Sequence, residues 1–237
     1  MRTLVISDIH GNIDALRALD ESFDNVILIG DIVDYGPDPA ACVDFLRGKN
    51  IFRARGNHDH AVAFCVDCET AAGPYRALSL ASRDYTMKIL DAGQKRWLGE
   101  AETAVWVNHG ALRMFACHGA PSNHMYKYLS TKLTDEELAR EVASVEADII
   151  LVGHTHKPFI KQVDGKLLVN VGSVGQPRDG VARICYAIIE DGEPEIRRAD
   201  YDVTAAVSKT KSLPLDENLR EQLIHLLENA EAPPTET

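Results

Sequence analysis

Long hydrophobic runs are missing from the sequence. Continuous apolar stretches such as Val26–Ile29 are far shorter than the roughly 18 residues that a membrane helix needs. The first residues, MRTLVISDIHGN, have no apolar core of the kind that a signal peptide carries. We therefore expect neither a secreted nor a membrane-spanning protein.

Cysteine is scarce, and the five cysteines are mostly far apart in the chain. An odd number of scattered cysteines is typical of free thiols in a reducing cytoplasm rather than of a disulfide framework. Cys65 and Cys68 form a lone C-x-x-C pair, but no second pair is present to complete a structural zinc site. We interpret both as ordinary thiols and expect a cytoplasmic location.

Positively charged residues are also scarce. The sequence has 25 Lys and Arg residues and 36 Asp and Glu residues, which gives a formal net charge of −11. An acidic surface argues against non-specific binding to nucleic acid and to anionic membranes. A small phosphorylated substrate is still compatible with this charge, provided that a local group reverses the sign of the field. No segment rich in Pro, Gly or Ser divides the 237 residues. We predict a single domain over residues 1–229, a flexible tail over 230–237, and a possible homo-oligomer.

Short apolar strands alternate with helical patterns in the first third of the chain. Leu4–Ser7, Val26–Ile29 and Ile51–Ala54 have the pattern of buried strands, while Ile13–Leu19 and Ala40–Leu46 carry apolar residues at helical spacing. This β-α-β-α-β order predicts a partly parallel sheet.

The second half of the chain is richer in strands. Strands are predicted at Ala104–Val107, Leu112–Cys117, Ile149–Val152, Leu167–Val171 and Ala182–Ile189. A capping box at Thr134 begins a helix to about Val145, and leucines near the C-terminus predict another helix. Residues 73–100 are helical in composition, with core contacts expected from Tyr75, Leu78, Leu80, Tyr85, Ile89 and Leu90. The fold class is therefore α/β with two sheets.

Residues that can bind metal follow five of the predicted strands. These segments are Asp8-Ile-His10, Asp31-Ile-Val-Asp34, Asn57-His58-Asp59, His118-Gly119 and His154-Thr-His156. The carboxyl ends of strands are where α/β sheets place their sites, so the five segments are expected to converge. An i, i+2 spacing on an extended backbone would put both members of the first and last pairs on one side. Gly30, Gly56 and Gly153 precede three of these segments and allow sharp turns there.

Carboxylates, an amide and imidazoles without thiolate suit Mn, Fe, Co, Ni or Zn, with manganese favoured here. Six or seven candidate ligands are too many for one tetrahedral ion and suit two. Two divalent cations beside Asp8 and Asp31 would leave a local surplus of about two positive charges. Such a centre would give an acidic protein the local positive field that a phosphate ester requires.

The order D-x-H, GD-x-x-D, GNHD, strand-terminal HG and GHTH resembles the calcineurin-like metallophosphoesterase superfamily, in particular its small bacterial and archaeal phosphodiesterases and phosphatases. The resemblance implies a four-layer α-β-β-α sandwich with two mixed sheets. It also implies a dinuclear centre in which a hydroxide between the metals attacks phosphorus. One metal would be held by Asp8, His10, Asp31 and His156, and the other by Asp31, Asn57, His118 and His154. His58 would be the general acid, oriented by Asp34.

One position departs from the superfamily's protein phosphatases, in which an arginine directly follows the residue equivalent to Asp34. Here that position is Tyr35, which weakens the protein phosphatase hypothesis. We expect Arg178, Tyr35 and His124 to contact substrate. The favoured function is a phosphodiesterase or nucleotide phosphatase, and the alternatives are a dinucleoside polyphosphate hydrolase, a protein phosphatase or a non-catalytic scaffold. Since every ligand position is filled, catalysis is favoured over the scaffold.

Overall fold

Two mixed β-sheets of five strands each are present in the computed structural model, which describes residues 1–233. The first sheet contains β1 (Arg2–Ile6), β2 (Asn25–Leu28), β3 (Phe52–Arg53), β9 (Ile184–Glu190) and β10 (Glu193–Ala199). The second contains β4 (Ala104–His109), β5 (Leu112–Cys117), β6 (Ile149–Val152), β7 (Phe159–Val163) and β8 (Lys166–Asn170). The strand orders are β10-β9-β1-β2-β3 and β4-β5-β6-β8-β7. Parallel pairing joins β1, β2 and β3 in the first sheet and β5, β6 and β8 in the second, so the carboxyl ends of these strands meet at one edge.

The described residues also form eight helices. They are α1 (Ile13–Arg17), α2 (Pro39–Leu46), α3 (Asn57–Phe64), α4 (Pro74–Ile89), α5 (Ala92–Gly99), α6 (Asp135–Val142), α7 (Val203–Lys211) and α8 (Glu217–Asn229). Within residues 1–233, no helix is both long and apolar enough to cross a membrane. The same range holds all five cysteines, and each has a free thiol.

Side chains that point alternately to the two faces of each strand divide the core into layers. In β1, Leu4 and Ile6 pack against α1 and α2, whereas Val5 packs between the two sheets. In β6, Ile150 faces the apolar side of α6, and its neighbours again point between the sheets. Because successive side chains of a strand point to opposite faces, each sheet buries both faces. The predicted four-layer α-β-β-α sandwich is confirmed.

Two strands and two helices are absent from the sequence-based prediction: β7, β10, α3 and α7. The strand β3 is shorter than predicted, and α6 ends at Val142. Ala230, at the start of the predicted tail, is buried and accepts a hydrogen bond from the Gly180 backbone N–H at 2.9 Å. Positions 234–237 of that tail lie outside the described residues. The boundary at residue 229 and the possible homo-oligomer stay predictions.

Two core assignments in α4 are wrong. Leu80 is 43% exposed and Ile89 is 46% exposed, whereas Leu78 is fully buried beside Tyr35 and Leu213. The buried face of this helix is instead largely polar, which a search for apolar periodicity misses; it comprises Leu78, Ser79, Ser82, Arg83 and Thr86.

These two leucines provide a matched test of packing. We expect Leu78→Ala to lower the free energy of unfolding by about 2–5 kcal/mol, because it removes a fully buried side chain. Leu80→Ala on the same helix is expected to change it by less than about 0.5 kcal/mol. Urea unfolding of both variants measures the difference, and equal losses would contradict this packing of α4.

Candidate active site

Two buried groups of metal-ligating side chains lie at the edge where the parallel strands end. The first group is Asp8, His10 and His156, and the second is Asp31, His118 and His154. In each group the candidate ligand atoms lie within 4.8 Å of one another. Both sheets contribute to each group, so the site spans the two sheets at this edge. The predicted convergence of the strand ends is present in the structure.

Short contacts define the first group. The Nε2 atom of His156 lies 3.1 Å from Oδ1 of Asp8 and 3.2 Å from Nε2 of His10. The His10 ring is also stacked on the His156 ring. Three potential ligand atoms are therefore directed at a common point.

The second group is arranged around Asp31. Its Oδ2 atom lies 3.0 Å from Nε2 of His118, which in turn lies 3.1 Å from Nδ1 of His154. The same oxygen lies 3.8 Å from Nε2 of His10, a member of the first group. Asp31 is thus positioned to serve both groups.

Backbone carbonyls fix the tautomers of three of these histidines. The Nδ1 atoms of His10, His118 and His156 lie 3.0, 2.8 and 2.6 Å from the carbonyl oxygens of Val33, Ile29 and Gln176. A carbonyl only accepts, so each neutral ring carries its proton on Nδ1 and presents a bare Nε2. The facing Nε2 atoms of His10 and His156 cannot then hydrogen bond to each other. A cation that accepts both lone pairs resolves this contact.

Two buried oxygens also fit a cation. Oδ1 of Asp8 and Oδ1 of Asn57 have no hydrogen-bond partner among the described residues. The side-chain amide of Asn57 donates from Nδ2 to the Cys68 carbonyl at 2.7 Å, which leaves its oxygen as the available ligand. Buried polar atoms are normally paired, so these two oxygens lack a partner that a bound cation would supply.

The charge states of three of the candidate ligands suit metal binding as well. Burial and the neighbouring His156 hold the pKa of His10 well below its usual value, and burial and the neighbouring His118 do the same for the pKa of His154. The pKa of Asp31 is well below its usual value, because nearby histidines outweigh the effect of burial. Neutral imidazoles and ionised carboxylates are the forms that bind metals. His118 differs, because burial is outweighed by the charges of Asp31 and Asp8, which raise its pKa to about 9. A cation at the second group would therefore displace a proton from His118.

His58 lies next to these groups, and its ring differs from theirs in protonation state. Its Nδ1 atom donates to Oδ2 of Asp34 at 2.8 Å, and its backbone N–H donates to Oδ1 of Asp31 at 3.0 Å. Burial opposes protonation of the ring, but the charges of Asp31 and Asp34 raise the pKa of His58 to about 9. A protonated imidazole whose Nε2 is not used by Asp34 is suited to donate a proton.

The backbone at the ligands is not extended, and this part of the prediction is wrong. Asp8, His10, His154 and His156 have φ values of 54°, 46°, 64° and 58°, all in the left-handed region. The chain turns sharply after β1, where the backbone N–H groups of residues 9 and 10 both donate to the Asp31 carbonyl. Asp8 and His10 still meet in one group, but His154 and His156 enter different groups.

Gly30 forms the sharp turn that the sequence predicts before Asp31, and Gly56 allows a close approach of the backbone. Gly30 has a φ of 84°, and a Cβ atom there would lie 2.2 Å from the backbone nitrogen of Gly56. A Cβ atom on Gly56 would lie 2.0 Å from Oδ1 of Asp31. Both glycines let the ends of β2 and β3 approach closely enough to form the site.

A sequence model of the calcineurin-like phosphoesterase superfamily domain matches residues 1–192. The chain belongs to the calcineurin-like phosphoesterase superfamily. As a member, it is a hydrolase that acts on phosphoric esters, and its two His and Asp groups are placed for a dinuclear metal site.

Individual relatives cover nearly the whole of this phosphoesterase. The uncharacterized protein MJ0912 of Methanocaldococcus jannaschii is 31% identical over 242 residues, which cover 92% of this chain and 96% of MJ0912. A metallophosphoesterase from Sphaerobacter thermophilus has 27% identity and a TM-score of 0.77, covering 94% of this chain and 98% of its own. The hypothetical protein PH1004 from Pyrococcus horikoshii shares the fold, with 20% identity and a TM-score of 0.82 over 98% of this chain and 99% of its own.

Arg178 and Tyr35, two of the three predicted substrate contacts of this phosphoesterase, lie beside the site. The Arg178 guanidinium lies 4.0 Å from the centroid of the Tyr75 ring and 5.5 Å from that of Tyr35, whose ring meets His10 edge-on. Arg178 donates two hydrogen bonds to the Gln176 side chain, and no ion pair with a carboxylate is found for it within residues 1–233. Its charge is therefore available to an anion.

The third predicted contact, His124, points elsewhere. Its Nδ1 atom lies 3.0 Å from the Thr103 hydroxyl, and its ring packs edge-on against Phe115. Neither partner is a candidate ligand, so the structure gives no support for a substrate contact here. Sequence analysis missed Tyr128, whose ring stacks on that of His154 with centroids 3.9 Å apart. Only its position ten residues after His118 could have indicated it.

Proposed function

We propose that this phosphoesterase hydrolyses small phosphate esters, either phosphodiesters or nucleotide monoesters. It would use two divalent cations, and manganese is the favoured metal. The observation that carries the proposal is that Asp31 contacts both ligand groups and also the backbone of His58. A candidate general acid is thereby fixed next to a candidate dinuclear centre. The five free thiols support a cytoplasmic location for the enzyme.

The ligand assignment follows the two groups. Asp8, His10, Asp31 and His156 would hold one cation, and Asp31, Asn57, His118 and His154 the other. Bound cations would make a water strongly nucleophilic at neutral pH and neutralise charge on the phosphoryl oxygens. This chain's own residues supply the remaining chemistry.

His58 is the proton donor in this proposal. Asp34 accepts from Nδ1 and so leaves Nε2–H of the charged ring to protonate the leaving-group oxygen. Arg178, held by Gln176 and stacked on Tyr75, binds a non-bridging phosphoryl oxygen. Tyr35 lines the same region and fills the position that a protein phosphatase would give to arginine, which favours small substrates over phosphoproteins.

The direct test is hydrolysis by the purified protein with Mn²⁺. We expect release of p-nitrophenol from bis-p-nitrophenyl phosphate or from the monoester, and complete loss of activity after chelation. Cyclic nucleotides, dinucleoside polyphosphates and phosphopeptides assayed in parallel separate the favoured function from its alternatives. If no divalent metal supports hydrolysis of any of them, the proposal is wrong and a scaffold role is favoured.

Substitution of Arg178 tests its proposed contact with the phosphate separately from metal binding. Arg178→Met should lower kcat/KM by about 10- to 100-fold, since it removes a charged hydrogen-bond donor to the phosphate. Arg183→Met is the control, because Arg183 is itself exposed and pairs with the exposed Asp200. Steady-state kinetics measure both, and an unchanged kcat/KM for Arg178→Met would remove Arg178 from the substrate site.

A further inference from the structure

The side chain of Asn57 is oriented by a segment outside both ligand groups. Residues 65–73 connect α3 to α4, and the Cys68 carbonyl in this connection accepts the hydrogen bond from Nδ2 of Asn57 at 2.7 Å. An amide has one donating and one accepting end, so this bond decides that Oδ1 is the end left for a cation. The position of Cys68 therefore affects the orientation of Asn57, which the proposed function assigns to the cation at the second ligand group.

Helix α4 holds Cys68 in place with its buried polar face. The Cys68 sulfur lies 3.0 Å from the Ser79 hydroxyl and accepts a hydrogen bond from Nη2 of Arg83 at 3.1 Å. Nη1 of Arg83 donates to the Val66 carbonyl at 2.8 Å. One guanidinium thus binds two residues of the connection at once.

Arg83 is buried, so its charge needs hydrogen bonds from the surrounding protein. The residue is only 7% exposed, and its nearest carboxylate, on the half-exposed Asp67, is 4.0 Å away. A buried charge is costly unless it makes strong hydrogen bonds. Here those bonds go to the backbone and sulfur of the segment that orients Asn57.

We infer that Arg83 is a positioning residue for Asn57. Arg83 and Ser79 fix the connection, the Cys68 carbonyl fixes the amide, and the amide oxygen binds one of the two cations. The inference rests on the proposed dinuclear centre. It adds that the binding affinity for one cation depends on contacts made by α4, whereas the affinity for the other does not. Residues that orient metal ligands typically contribute 10–100-fold to metal affinity.

Calorimetric titration of the metal-free protein with Mn²⁺ tests the inference without an activity assay. We expect Arg83→Met to weaken one of the two binding events by about 10–100-fold and to leave the other unchanged. Arg76→Met is the matched control, because Arg76 lies on the same helix and binds the same connection, but through the exposed carboxylate of Asp67 at 2.7 Å. This control should bind both ions with unaltered affinity.

A second pair of variants separates positioning from general support of the fold. In an Asn57→Ala background, Arg83→Met is expected to cause no further loss of Mn²⁺ affinity, because the amide that it orients is gone. A further loss of the same size in that background, or an equal weakening of both ions, would overturn the inference. If Arg83→Met does not fold, Ser79→Ala takes its place with a smaller expected loss at the same ion. Failure of the unaltered protein to bind Mn²⁺ would overturn the metal centre as well, whereas equal affinities in wild type and Arg83→Met overturn only the role of Arg83.

Discussion

Asp31→Asn is expected to release both cations together and to lower kcat/KM by about a thousandfold or more. The Asp31 carboxylate contacts His118 of its own group and lies 3.8 Å from His10 of the other, so neutralising it weakens both groups at once. Metal ions contribute several kcal/mol to charge stabilisation in such reactions, and each 1.4 kcal/mol is tenfold in rate. Metal analysis after gel filtration and steady-state kinetics measure the two effects.

Asp200→Asn is the control for this experiment, because it makes the same chemical change in an exposed ion pair with Arg183. It should retain two ions and normal kinetics. One ion retained at full occupancy in Asp31→Asn would mean that Asp31 serves a single group. The bridging assignment would then be wrong.

His58→Asn should leave both ions bound and yet lower kcat by about 100- to 10,000-fold for esters of alkyl alcohols. An alkoxide leaves poorly unless it is protonated, whereas p-nitrophenolate leaves readily as the anion. The loss should therefore be much smaller for p-nitrophenyl esters. Equal losses for both leaving groups would argue against a proton donor, and loss of metal would make His58 a ligand.

The pH dependence of the same reaction tests Asp34. The active form of a general acid is protonated, so activity should fall as the pH rises through the pKa of His58, which its neighbours raise to about 9. Asp34→Asn removes one of the charges that raise this pKa. We expect the alkaline limb of kcat/KM against pH to move to lower pH in this variant. If the alkaline limb does not move in Asp34→Asn, a group other than His58 is responsible for it.

Much of the site follows from sequence because strand ends in parallel sheets are close in space. The groups at Asp8, Asp31, His118 and His154 each follow an apolar strand, and this placement alone predicts their convergence. The assignment of His154 and His156 to different groups was not predictable from their spacing. It depends on left-handed turns that are set by contacts with distant strands.

Elements whose pattern is weakly apolar were harder to predict. In β10, Glu193–Ala199, charged residues dominate, and pairing with β9 supplies its stability. In α4, polar residues that face inward contact the connection at residues 65–73 rather than a hydrophobic core. Arg83 therefore resembles a surface arginine in sequence, and only the tertiary structure places it near Asn57. Propensity and periodicity carry no information on such long-range polar contacts.

The left-handed backbone at the ligands has a consequence for evolution and engineering. Asp8, His10, Asp31, His154 and His156 all hold a conformation that costs most residues roughly 1–3 kcal/mol. Glycine adopts it freely, so an inactive descendant that replaced one of these histidines with glycine could melt at a higher temperature in the absence of metal. Stability alone would therefore favour glycine at these positions, so this ligand set gives up some stability of the metal-free protein for the capacity to bind cations.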